Sequence, residues 1–160
     1  MLQYSKQDNS MSSLGDLVMF LGTFRHQVDG KGRFRLPTKF KAELGESPVF
    51  AKGANGALYV LSRKELEENI APKLANLSMF DESVQKPLRL LFASCFESEE
   101  DNQGRILLPK ELRAYANITK DIVTIGAFNR VEIWDAEAWD KYSSGENFDN
   151  LTSALSDKGV

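Results

Sequence analysis

Residues 29–37 read DGKGRFRLP and residues 101–109 read DNQGRILLP. The pattern Asp-x-x-Gly-Arg-apolar-x-Leu-Pro therefore recurs 72 residues on, with Asp29, Gly32, Arg33, Leu36 and Pro37 answered by Asp101, Gly104, Arg105, Leu108 and Pro109. The downstream segments recur too, since Gly53 to Ser62 (GANGALYVLS) aligns with Gly126 to Asp135 (GAFNRVEIWD) at an offset of 73, one inserted residue making the difference. Two copies with the same order of elements behind them mean a duplicated structural unit and a pseudo-two-fold pair of loops. A unit of about 50 residues buries too little surface to be comfortable alone, so the halves are expected to share a core or interlock.

The punctuation of the chain places the elements. Residues 1–18 are polar, Ser-rich and aperiodic and read as a flexible extension, with Met11 and Met19 as alternative starts beside Met1. From Phe20 a β-prone run ends at Asp29-Gly30-Lys31-Gly32, whose glycines supply the positive φ of a tight turn, so a hairpin with Arg33–Leu36 is expected. Pro37 opens a helix through Leu44 that Gly45 closes, and Ser47 to Lys52 pairs with Ala57 to Leu61. Ser62-x-x-Glu65 is a capping box starting a helix to about Ile70, which Pro72 interrupts or resets. Val84, Leu88, Leu91 and Phe92 at helical spacing predict a helical link over 81–92 despite Pro87. The second copy supplies strands at 95–100 and 105–108 around the turn 101–104, a helix at 109–116, strands at 121–125 and 130–134, and a helix capped by Asp135. The tail from Ser143 is Ser, Asn, Asp and Gly-rich and is expected to fray. The expected organisation is an extension (1–18), repeat 1 (19–68), a helical linker (69–92), repeat 2 (93–142) and a flexible tail (143–160), in a mainly β α+β fold.

Several function classes are disfavoured by composition. The 160 residues carry one cysteine, Cys95, and one histidine, His26. An intrachain disulfide, a cysteine zinc cage, a Ser-His-Asp or Cys-His triad with a spare His, and poly-His metal chemistry are therefore set aside; no metal and no cofactor is expected. The most apolar stretches, such as Leu88 to Ala93, fall short of the roughly 20 residues a membrane span needs, so a cytoplasmic protein is expected. His26 reads first as a surface side chain. Trp134, Trp139, Tyr59 and Phe128 sit at strand and helix periods and read as core or interface packing rather than base-stacking platforms. Asp29 and Asp101 invite an acid-base dyad, but such a dyad needs a small hydroxyl residue and a glycine after each Asp, whereas Gly30-Lys31 and Asn102-Gln103 stand there. Gly30-Lys31-Gly32-Arg33 lacks the Walker spacing and the Ser or Thr after Lys. An enzyme is not expected.

The loops themselves carry the chemistry. The net charge is −3, yet Arg25 to Lys52 holds seven Lys or Arg against three Asp or Glu. That excess is either a cationic face on an acidic body or an ordinary solvated surface. An arginine immediately after a rigid turn can offer its planar fork to a guanine edge or a phosphate, or can pair with an acidic neighbour to pin the turn. Two such turns related by approximate symmetry favour groove reading. Lys31, Arg33, Arg35, Arg105, Arg25 and Lys39 are the candidate DNA-binding residues, and Asp29, Gly32, Asp101 and Gly104 the turn formers. The second loop is poorer, with Gln103 in place of Lys31 and Leu107 in place of Arg35. A module of the same build that binds a protein partner, antitoxin-like, is the rival reading.

FLGTF at 20–24, DGKGRFRLP at 29–37, DNQGRILLP at 101–109 and IGAFNRVEIWD at 125–135, taken together, resemble the MraZ family of bacterial transcription regulators in the SpoVT/AbrB-like superfamily. The resemblance spans Met19 to Tyr142; Gly30, Gln103 and the long amino-terminal segment depart from the family pattern. It implies a swapped-hairpin, AbrB-like double-psi β-barrel built from two tandem repeats as a pseudo-dimer with flanking helices, and assembly of several chains into a ring. It further implies a nucleoid-associated repressor that binds double-stranded DNA at direct repeats upstream of the division and cell-wall gene cluster, which includes its own gene. The family's DNA-contacting loops fall on Asp29 to Arg33 and Asp101 to Arg105.

Overall fold

The turn at Asp29 redirects the chain without completing a hairpin. In this computed structural model, which describes residues 18–160, the Asp29 amide donates to the Arg33 carbonyl at 2.8 Å and the Gly32 amide to the Asp29 carbonyl at 3.0 Å. The Arg33 amide, however, donates to the Asp29 carboxylate at 2.9 Å instead of to a strand neighbour. Strands β1 (Thr23–Gln27) and β2 (Arg33–Phe34) accordingly part after the turn. β1 runs antiparallel to β7 (Asp121–Gly126), from Thr23 opposite Ile125 to Gln27 opposite Asp121. β2 pairs with β6 (Ile106–Leu107). The hairpin expected from the turn chemistry is thus replaced by pairing between repeats.

The hairpin of β3 (Val49–Lys52) and β4 (Leu58–Leu61) does form. With β5 (Phe96–Glu97) and β8 (Val131–Asp135) the main sheet has six strands in the order β1-β7-β8-β4-β3-β5, and all of these pairings are antiparallel. That order reads the same when the repeats are exchanged. Phe34 lies opposite Ile106 and Tyr59 opposite Glu132, and each pair consists of equivalent positions of the two copies. A pseudo-two-fold axis therefore passes through both pairings. The architecture is mixed α+β around a mainly antiparallel sheet.

Helices cover the sheet. Helix α1 (Thr38–Leu44) follows Pro37, and Gly45 ends it at φ 73°. Helix α2 comes in three stretches, Arg63–Glu65, Leu66–Ile70 and Ala71–Ala75, with wider π-type turns just before Pro72. A proline has no N–H to return to the preceding turn, and widening that turn is one way a helix accommodates it. Half of the capping box is present, with the Glu65 amide donating to the Ser62 hydroxyl at 3.0 Å. Helix α3 (Glu82–Ala93) tolerates Pro87 and is capped by Asp81. Helix α4 (Lys110–Tyr115) repeats α1, and α5 (Ala136–Ser143) is capped by Asp135, whose carboxylate accepts the Ala138 amide at 3.1 Å.

Strand alternation sends successive side chains to opposite faces, and each face has its own cluster. The larger one gathers Phe34, Phe40, Phe50, Leu58, Leu108, Leu112, Ile122 and Ile133 from both repeats, so the two halves share one core. Phe40 lies edge-on to Phe20 and Phe24, with ring centres 6.1 and 5.0 Å away. The other face holds Ala57, Val123, Ile125 and Trp134, with Trp139 edge-on to Trp134 at 5.3 Å. The buried Glu132 carboxylate accepts from Trp134 Nε1 at 3.0 Å and Arg130 Nε at 2.8 Å, so a charge in this layer is fully partnered.

Two further expectations are revised and one lies largely out of view. The tail does not fray throughout, because Asn147 caps a further helix, α6 (Phe148–Ser156), with its side chain accepting the Asp149 amide at 2.8 Å. Phe148, Leu151 and Leu155 recur at helical spacing there, a pattern that the polar composition masks. Phe128 is not part of the core: it is 58% exposed, at φ 72°, a backbone region costly for a bulky side chain. The flexible extension proposed for residues 1–18 lies outside the described residues except for Val18, which packs against the core.

Candidate nucleic-acid interface

Each loop is organised by one carboxylate. Asp29 Oδ1 accepts the amides of Lys31 and Arg33, both at 2.9 Å, while Oδ2 accepts Arg33 Nε at 2.8 Å. Asp101 repeats this on Gln103 and Arg105, with amides at 2.9 Å and Nε at 2.7 Å. The turn roles of Asp29 and Asp101 follow from the rule that a short carboxylate accepts amides two residues on. Accepting so many donors favours the ionised form: the Arg33 amide first, against some desolvation, holds Asp29 below its ordinary value, and the Arg105 amide does the same for Asp101, lowered to about 2. Gly32 and Gly104 sit at φ 86° and 73°, where a side chain is strained.

The carboxylates fix only one edge of each guanidinium. Among the described residues no hydrogen bond or ion pair involves Nη1 or Nη2 of Arg33 or Arg105, and their side chains keep about a quarter of their surface in water. The acidic pairing that rivals DNA contact is therefore present, but it engages Nε and leaves the terminal nitrogens without a hydrogen-bond partner among the described residues.

The pseudo-symmetry brings the loops to one place. A cleft of about 830 Å³ is lined by His26, Arg33, Arg35, Gln103, Arg105 and Lys120 among others. Arg35 Nε donates to the Gln103 carbonyl at 2.9 Å, tying the returning strand of one repeat to the loop of the other. Lys31 is exposed at the turn and Lys39 on α1, both outside the cleft wall. Arg25 does not line the cleft and is paired with Asp140 of α5 at 2.6 Å. His26 is not a free surface side chain: it is half-buried, shares a hydrogen bond with the Thr124 hydroxyl at 2.6 Å, and burial lowers its pKa. Lys120 was missed by the sequence reading, since only the β1–β7 pairing carries it into the cleft.

Comparison with known proteins finds the same duplication. A family model described as MraZ protein, with an antitoxin-like label, matches residues 19–88 and again residues 91–158. The chain belongs to the MraZ family. One MraZ model matching twice separates the loop of Asp29 from the loop of Asp101. A protein of Acetivibrio thermocellus named Transcriptional regulator MraZ is 43% identical over 129 residues, covering 81% of this chain and 90% of the relative. MraZ of Saccharopolyspora erythraea is 47% identical over 124 residues, 78% of this chain and 86% of its own. MraZ of Lactobacillus gasseri is 39% identical over 141 residues, with 87% and 98% covered.

Proposed function

We propose that this chain is a transcriptional regulator that reads double-stranded DNA with its two arginine loops. The observation that carries the reading is the convergence of Arg33 and Arg105, from equivalent loops, on one cleft, with no hydrogen bond to their terminal nitrogens among the described residues. A fork held at Nε by a carboxylate is pre-set for bidentate contact with a guanine edge, while Lys31, Arg35 and Lys39 neutralise phosphates. Arg25 joins them by exchanging Asp140 for a phosphate, because an exposed ion pair contributes little in water. The regulator named in the relatives and the family resemblance support the same reading, and repression of the division and cell-wall cluster that includes its own gene is the form we infer. The protein then acts in the cytoplasm on the nucleoid, without catalysis.

The cross-repeat pairing supports a swapped-hairpin, double-psi barrel of the AbrB-like kind, in which repeats 19–68 and 93–142 form the pseudo-dimer and 69–92 the helical linker. Ring assembly is supported by apolar side chains left in water, Met79 at 79%, Phe80 at 98% and Leu90 at 65% exposure. Each chain offers few cations, and affinity rises steeply with the number of phosphates neutralised. Several copies of the loop in one ring, meeting direct repeats at matching spacing, turn later contacts into intramolecular ones.

A mobility-shift titration at fixed salt tests this, using duplex from upstream of the chain's own gene and a shuffled duplex of equal composition. Nanomolar, sequence-dependent binding is expected, weakened by about 1–3 kcal/mol in Arg33→Ala together with loss of sequence preference. Equal binding of both duplexes, or an Arg33→Ala curve that overlays wild type, overturns the reading.

A further inference from the structure

The first loop is braced by a residue of the other repeat. Gly32 is buried at φ 86°, and a Cβ built on it meets the Arg113 guanidinium flat on, 2.7 Å from Cζ, 2.8 Å from Nη1 and 2.9 Å from Nε. Arg113 stands on α4 of the second repeat and donates from Nε to the Leu108 carbonyl at 3.1 Å. The Leu108 amide in turn donates to the Gly32 carbonyl at 2.9 Å. Leu108 thus links the two, its carbonyl holding the Arg113 guanidinium and its amide holding the carbonyl of Gly32, the residue before Arg33. The second loop is built differently: a Cβ on Gly104 would find its nearest neighbours, Lys41 Nζ and Glu100 Oε2, only at 3.9 and 4.0 Å, and those two pair with each other at 2.7 Å.

We propose that Arg113 is a positioning residue for the Asp29–Arg33 loop, setting the height and tilt of Arg33 from the opposite repeat. The proposal rests on the DNA reading above. It follows from shape as well as charge. A glycine is required at position 32 both for its φ and because the planar guanidinium occupies the volume of a side chain, and a lysine ammonium offers neither that plane nor the Nε donor. Arg113 is placed to support the loop, not to meet a phosphate.

The test uses the full chain with Arg113→Met, which keeps the stem, and Arg113→Lys, which keeps the charge. Amide hydrogen exchange read by NMR is expected to speed up about tenfold at Gly32, Arg33 and Leu108, the scale of one lost hydrogen bond. Gly104 and Arg105, in the equivalent loop, stay at wild-type rates and control for global destabilisation. Binding to the upstream duplex falls about tenfold in both variants, within what one bidentate contact is worth, while binding to shuffled duplex and the salt slope stay constant. Exchange that rises equally in both loops, or does not change at Gly32, overturns the proposal. So does a salt slope smaller by about one, which would make Arg113 a phosphate contact. If wild type fails to tell the duplexes apart, the DNA reading falls by itself, and the exchange comparison still decides whether Arg113 positions the loop.

Discussion

Replacing each loop glycine by alanine measures the brace against an internal control. At Gly32 and Gly104 the backbone lies at φ 86° and 73°, and forcing an L-residue there costs about 1–2 kcal/mol. At Gly104 that is the whole cost, because nothing lies closer than 3.9 Å to the new methyl. At Gly32 the methyl must displace the Arg113 guanidinium from 2.7 Å. The displaced group is the end of a flexible side chain and can swing away, so the added cost is the loss of its hydrogen bond to Leu108, about 1 kcal/mol net. Gly32→Ala is therefore expected to destabilise by about 2–3 kcal/mol and Gly104→Ala by about 1–2 kcal/mol. Equilibrium urea unfolding of both variants reads the difference, and a thermal midpoint about 2–4 °C lower for Gly32→Ala than for Gly104→Ala is the matching signature in a chain of this size. Equal losses, or a larger loss at Gly104, would refute the argument that Arg113 occupies the space a side chain needs.

Three further outcomes are expected from other parts of the molecule. Phe40→Ala, removing a fully buried ring edge-on to Phe20 and Phe24, is expected to cost about 3–5 kcal/mol in urea unfolding; a loss under about 1 kcal/mol would show that the shared core is not centred there. Asp101 is expected to titrate by carboxyl NMR near 2 in place of 3.8, so its contribution to stability is complete above about 4 and fades as the pH falls towards 2. The urea midpoints of wild type and Asp101→Asn should therefore converge over that window, and a constant gap would contradict the hydrogen-bond account. Lys39→Ala should weaken upstream and shuffled duplex alike and reduce the salt slope by about 0.9, whereas an unchanged slope would remove Lys39 from the phosphate contacts.

Local chemistry was readable where one stretch of chain decides the outcome. The carboxylate turns at Asp29 and Asp101, the helix after Pro37, the cap at Asp135 and the β3–β4 hairpin each need only neighbours in sequence. The partner of β1 is another matter. Asp-Gly and a second glycine favour a hairpin, but the same Asp29 that begins the turn takes the Arg33 amide, the donor with which a ladder to β1 would continue. One residue thus makes the loop and prevents the local pairing, which frees β1 and β2 to seek strands of the other repeat. Periodicity cannot show this, because β1 would alternate in the same way against either partner. For the same reason Lys120 and Arg113 could not be found: they reach the first loop only once the repeats have exchanged strands. A loop that reads a ligand needs stiffness that its own few residues cannot supply, and here the stiffness comes from the other copy. The duplication visible at residues 29–37 and 101–109 therefore does more than double the number of arginines; it gives the first loop a foundation outside its own repeat.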